Sequence, residues 1–112
     1  VREGGTLVNA QGDLSEEGTF GKDSPWCDYS GARDGATEGL AILSSPKNPW
    51  HPPKWFTRDY GFFSPTPMYW PENDQHEFAK EETFTLQYRV IVHAGNAKTA
   101  DIQGMYEKWA AE

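Results

Sequence analysis

From Glu82 to His93 the chain alternates: Phe84, Leu86, Tyr88, Val90 and Val92 fall at even positions, with Thr83, Thr85, Gln87, Arg89 and Ile91 between them. Period two belongs to an extended strand, and it gives that strand one apolar and one mainly polar face. Gly95-Asn96 ends it. A strand with two unlike faces is stable only inside a sheet whose apolar side is covered, so partners must lie elsewhere in the chain.

They are legible upstream. Gly5 to Ala10 reads as a short strand. Trp26 to Gly31 has the aromatic content of a strand. Asp34-Gly35 is a dipeptide suited to positive φ, and Thr37 to Ser44 follows as a buried strand. Trp26 to Ser44 therefore reads as a β-hairpin in which Trp26, Asp28 and Ser30 share one face and Cys27 and Tyr29 the other. Gln11 to Lys22 is polar and punctuated by glycine, a loop with at most a weak strand near Thr19-Phe20. Pro46, Pro49, Pro52 and Pro53 forbid ladder pairing around His51. Lys54 to Phe63 extends again, with Trp55, Thr57 and Asp59 on one face and Phe56, Arg58 and Tyr60 on the other. Ser64 to Lys80 is a long excursion rich in Pro, Asn and Asp.

At the end of the chain, Thr99 is a candidate N-cap with Asp101 in the first helical turn. Ile102, Met105, Tyr106 and Trp109 fall at i, i+3, i+4 and i+7, a packing stripe that Gly104 weakens. The expected fold is mainly β, an antiparallel β-sandwich with one C-terminal α-helix, and residues 1–112 form a single β-rich domain. The chain opens at Val1 without an initiator methionine, as a fragment of a larger protein would. A domain of this length buries roughly two-thirds of its unfolded surface.

Composition narrows the function. Seventeen acidic residues against ten basic give a net charge of −7, and no basic stripe exists to neutralise phosphates or an anionic bilayer. Neither nucleic acid nor membrane is an expected partner. No apolar run approaches the ~20 residues that span a bilayer. Cys27 is the only cysteine, so it can form no internal disulfide. There is no phosphate loop, no dinucleotide fingerprint and no serine-hydrolase elbow. His51, His76 and His93 show no ligand spacing. No cofactor and no metal is expected.

Aromatic residues make up 14% of the chain, and many cluster with prolines between Trp50 and Trp70. They either fill a loop-rich core or form a platform for a flat ligand such as a sugar ring. Trp26, Asp28, Tyr29 and Ser30 form one candidate group: a ring can stack on the indole while the carboxylate accepts hydroxyl hydrogen bonds. The alternative is a packed Trp at a sheet margin. Asn48 to Tyr60 is the second, where His51, Arg58 and Asp59 could supply an acid or base, a charge stabiliser and an orienting partner. Its alternative is a proline-turn cap and a structural ion pair.

The strings Pro25-Trp26-Cys27-Asp28-Tyr29-Ser30-Gly31, Pro46 to Pro52 with Trp55 to Gly61, and Leu86 to Gly95 resemble the C-terminal half of a bacterial family labelled methane oxygenase PmoA. That family looks similar to galactose-mutarotase-like β-sandwiches. The resemblance implies a carbohydrate ligand, general acid/base chemistry on sugars, an upstream half of the same polypeptide as partner, and a periplasmic or extracellular location. It implies catalytic roles for Asp28, His51 and Arg58, and sugar contacts for Trp26, Trp55 and Tyr60. The alternatives are a non-catalytic module that binds a glycan or a partner domain and, taking the label literally, a metal-dependent oxygenase.

Overall fold

At the Asp34-Gly35 turn both residues take positive φ, 53° and 81°, as a tight hairpin turn requires. The computed structural model of the protein describes residues 4–66 and 77–112. The elements run β1 (Thr6–Asn9), α1 (Ser15–Thr19), β2 (Trp26–Arg33), β3 (Ala36–Ser44), β4 (Lys54–Thr57), β5 (Phe63–Thr66), β6 (Tyr88–Ala94) and α2 (Ile102–Ala110). The turn brings β2 back along β3, with Asp28 opposite Ala41 and Ser30 opposite Gly39. β1 and β6 flank this hairpin in the order β1-β2-β3-β6, and β4 pairs with β5 in a second sheet. Every strand pair among the described residues is antiparallel. The protein is mainly β with a C-terminal helix, as expected.

Alternation divides the four-stranded sheet into two faces. Trp26, Ala41 and Leu43 point to one side and pack against Ile102 and Tyr106 of α2, with Ile91 and Trp109 at the margin. Tyr29 points to the other side and stacks on Phe63 of β5, ring centroids 6.3 Å apart. The β4–β5 hairpin thus covers that second face, sheet against sheet in the manner of a β-sandwich. Trp55 anchors the hairpin: it is fully buried and its indole N–H donates to the Ser24 carbonyl at 2.7 Å.

Five local expectations differ from the structure, the first being the extension expected over Lys54 to Phe63, which stops at Thr57 where a turn from Arg58 to Phe62 begins. The strand expected over 82–93 is a strand only from Tyr88. Ser45 and Asn48 capture the backbone of Gln87, the Asn48 amide bonding its N–H and carbonyl at 2.7 and 2.9 Å. β3 ends at Ser44 before the prolines, so residues 82–86 have no strand to join. The loop expected over 11–22 holds α1 instead. Asp59 Oδ1 accepts from the Glu16 N–H (2.9 Å) and Glu16 Oε1 from the Asp59 N–H (3.2 Å), a reciprocal cap supplied from a distant segment. β5 begins at Phe63 and runs into the expected excursion of Ser64 to Lys80, of which residues 67–76 lie outside the described residues. Finally, α2 is capped by Asp101, whose Oδ1 accepts from the Gly104 N–H at 3.2 Å, rather than by Thr99. Thr99 is engaged with Asn96 in the preceding turn. A side chain at Gly104 would run into the Asp101 carboxyl, so the glycine that weakens the helix also admits its cap.

Candidate functional site

Asp28 sits in the middle of β2 on the face that α2 covers and is 0% exposed. Its Oδ2 is hydrogen-bonded to Nε2 of His93, two strands away on β6. Gly39 lies between them. A Cβ there would come within 2.7 Å of the imidazole Cε1 and 2.8 Å of Ser30 Cβ. The missing side chain is what lets the imidazole lie across β3 to reach the carboxylate. His93 Nδ1 is 3.3 Å from the Ala94 carbonyl. The tautomer of the ring sets which partner donates in the Asp28–His93 hydrogen bond. Burial raises the Asp28 pKa above the ordinary carboxylate value, and the hydrogen bond and charge of His93 offset part of that rise. The other carboxylate oxygen, Oδ1, is buried without a hydrogen-bond partner among the described residues, an uncommon state for a buried acceptor.

Trp26 and Ser30 flank Asp28 on the same strand face, and both line a cleft of about 450 Å³ between the β1–β2 edge and the segment that leads into α2. Lys98, Asp101 and Gln103 close it from the helix side. The Trp26 indole N–H donates to Gln103 Oε1 at 2.7 Å. An indole, a hydroxyl and an ammonium therefore gather within one concavity, with Asp28 buried between Trp26 and Ser30 on the strand that forms one wall.

The remaining expected site residues are elsewhere. His51 is held at the end of β3, where its Nδ1 is 3.1 Å from Ser44 Oγ and its Nε2 3.3 Å from the Tyr106 hydroxyl. Burial lowers its pKa. Trp55 was expected as a stacking surface, but it presents no face to solvent because it fills the interior beneath the hairpin. Arg58 lies over the rings of Phe20 and Phe56, 4.8 and 4.5 Å from their centroids, with Nη1 3.5 Å from Glu16 Oε2. It ties the hairpin to α1. Tyr60 projects from the hairpin turn, 61% exposed. The structure joins Asp28 and Trp26 with His93; it leaves His51, Arg58, Trp55 and Tyr60 outside that group.

Over residues 1–107 the sequence matches the family of unknown function DUF6807. The chain belongs to this family. No curated protein and no solved structure matches it.

Other chemistry is sparse. Among the described residues no three His, Cys, Asp or Glu side chains are placed to hold a metal ion; His76 lies outside them. Burial, reinforced by the nearby Asp28 carboxylate, raises the Cys27 thiol pKa far above its ordinary value, so Cys27 stays a protonated, packed side chain. No helix among the described residues is long and apolar enough to cross a membrane. His93 was the residue sequence reasoning passed over. The hairpin turn fixes Asp28 opposite Ala41, but nothing local fixes the β3–β6 register that sets His93 opposite Gly39.

Proposed function

We propose that this chain is a carbohydrate-binding segment of a galactose-mutarotase-like sandwich, with its ligand in the cleft beside Asp28. The observation that carries the reading is the unpartnered, buried Asp28 Oδ1 flanked by Trp26 and Ser30 at the cleft wall. A sugar presents an apolar ring face and several hydroxyl donors, which an indole and a desolvated carboxylate complement. The hydrogen-bonded Asp28–His93 pair equips the same place for general acid/base work. His51 and Arg58 have structural partners of their own and do not belong to it.

The test is a thermal melt with and without mono- and oligosaccharides, since a ligand that binds only the folded chain stabilises it by mass action. One sugar class should raise the midpoint, and Thr6→Trp, which fills the cleft from the exposed first residue of β1, should abolish the rise while leaving the unliganded melt unchanged. No shift with any sugar, or a shift that Thr6→Trp does not remove, would overturn the reading.

A second reading, a partner-binding module, has its own observation. Val90 and Val92 are 58% and 79% exposed on the sheet face that the β4–β5 hairpin meets at β2 and β3. An upstream half of the same polypeptide could complete that layer.

A further inference from the structure

Two charged side chains line the cleft, Lys98 and Asp101, and a single turn sets their spacing. The Asp101 N–H donates to the Lys98 carbonyl at 3.1 Å, and the Asn96 and Ala97 carbonyls on the same turn accept from Ala100 and Ile102 at 2.9 and 3.1 Å. Both residues are exposed, and among the described residues neither takes part in an ion pair. Several of the other polar groups around the cleft are already committed within the chain. The Asn9 amide donates to Asp13 Oδ2 and accepts from the Gln11 and Asp13 N–H groups. Gln103 accepts from the Trp26 indole and donates to Glu107. Asn96 accepts from the Thr99 N–H. Asp101 spends one oxygen, Oδ1, on the Gly104 N–H. The charged groups left for a ligand are the Lys98 ammonium, which only donates, and Asp101 Oδ2, which only accepts. Val8 and Ala10 add apolar surface beside them.

We infer that Lys98 and Asp101 are the specificity-determining pair of the cleft and read a vicinal diol of a neutral sugar. The inference rests on the carbohydrate reading and adds to it the part of the sugar that is recognised and the residues that recognise it. An ionic ligand of either sign would meet one attracting and one repelling charge here, so the pair favours an uncharged one. A hydroxyl both donates and accepts. Of two hydroxyls on neighbouring ring carbons, one gives its hydrogen to Asp101 Oδ2 while the other accepts from the Lys98 ammonium. Hydrogen bonds to charged partners are roughly twice as strong as neutral ones, so these two contacts outweigh those to the neutral hydroxyls of Thr6 and Ser30.

The test titrates the chain calorimetrically with glucose, galactose and mannose, with their monodeoxy analogues, and with glucuronate and galacturonate. For the hexose that binds, removal of either of two adjacent hydroxyls should weaken binding about tenfold. In Lys98→Met one of those two positions should lose its sensitivity, falling below about twofold, while its neighbour keeps it. In Asp101→Asn the neighbour should lose its sensitivity instead. Asparagine tolerates the left-handed backbone at 101 and still caps the helix, but where Oδ2 stood it offers a donor. Should the cap variant melt early, Lys98→Met at its exposed position decides alone. If a hexose binds and Thr6→Trp removes it, but the sensitive positions are not adjacent or keep their sensitivity in both variants, the diol inference is overturned and the cleft reading stands. A uronate that binds at least about tenfold more tightly than its hexose also overturns it, because the recognised group is then an acid. If no sugar binds the wild-type chain, both fall.

Discussion

Gly39 shows how one residue's lack of a side chain shapes the site. Asp28 and His93 sit on strands separated by β3, and the gap is bridged because nothing but hydrogen stands on Gly39 between them. A methyl there would meet His93 Cε1 at 2.7 Å, Ser30 Cβ at 2.8 Å and His93 Nε2 at 2.9 Å. Ser30 is held by the β2 backbone, so the imidazole must move, which breaks its bond to a buried carboxylate. Gly39→Ala should therefore destabilise the chain by about 1–3 kcal/mol, the usual cost of overpacking, and urea unfolding would measure it. An alanine variant as stable as wild type would mean that the Asp28–His93 contact is not part of the folded state. Asp28 was legible as a candidate from its place between Trp26 and Ser30. Its partner was not, because a histidine at the end of an alternating strand carries no mark of what faces it.

At the scale of elements, local signals read well and non-local ones poorly. Asp34-Gly35 announced the hairpin, and the spacing of Ile102, Tyr106 and Trp109 announced α2. The end of β6 nearest Gln87 was hidden because a side chain, Asn48, takes the backbone bonds a longer strand would have used. α1 was hidden because its cap comes from Asp59, 43 residues away. The proline-rich loop before β4 was read as catalytic on the strength of His51, whose two nitrogens instead face the hydroxyls of Ser44 and Tyr106. The ring thereby links β3 to α2, and a neutral imidazole suits that place. Burial lowers its folded pKa, so the unfolded chain takes up the proton more readily. The stabilisation is present above the unfolded pKa of about 6.5 and is lost as pH falls through the folded value. Thermal midpoints should decline between pH 7 and 5 in wild type, and His51→Gln, which cannot titrate there, should flatten that decline. An unchanged slope in the variant would assign the acid sensitivity to other groups.

Over the whole molecule, a four-stranded sheet carries different burdens on its two faces. One is covered by α2 and holds Asp28, His93 and the cleft beside them; the other carries the β4–β5 hairpin against β2 and β3, with Val90 and Val92 exposed on β6. The aromatic residues that suggested a glycan platform divide accordingly. Trp55 and Phe63 pack inside, their rings 6.5 Å apart, whereas Trp26 stands at the cleft. On the proposed function, ligand recognition belongs to the α2-covered face and not to the hairpin. Amide chemical-shift mapping of the labelled chain during titration with the sugar that most raises its melting temperature tests this directly. Perturbations should concentrate at Ser30, Asn96 to Lys98, Gln103 and the Trp26 indole. Perturbations confined to Trp55 to Tyr60, or none at saturating sugar, would contradict it.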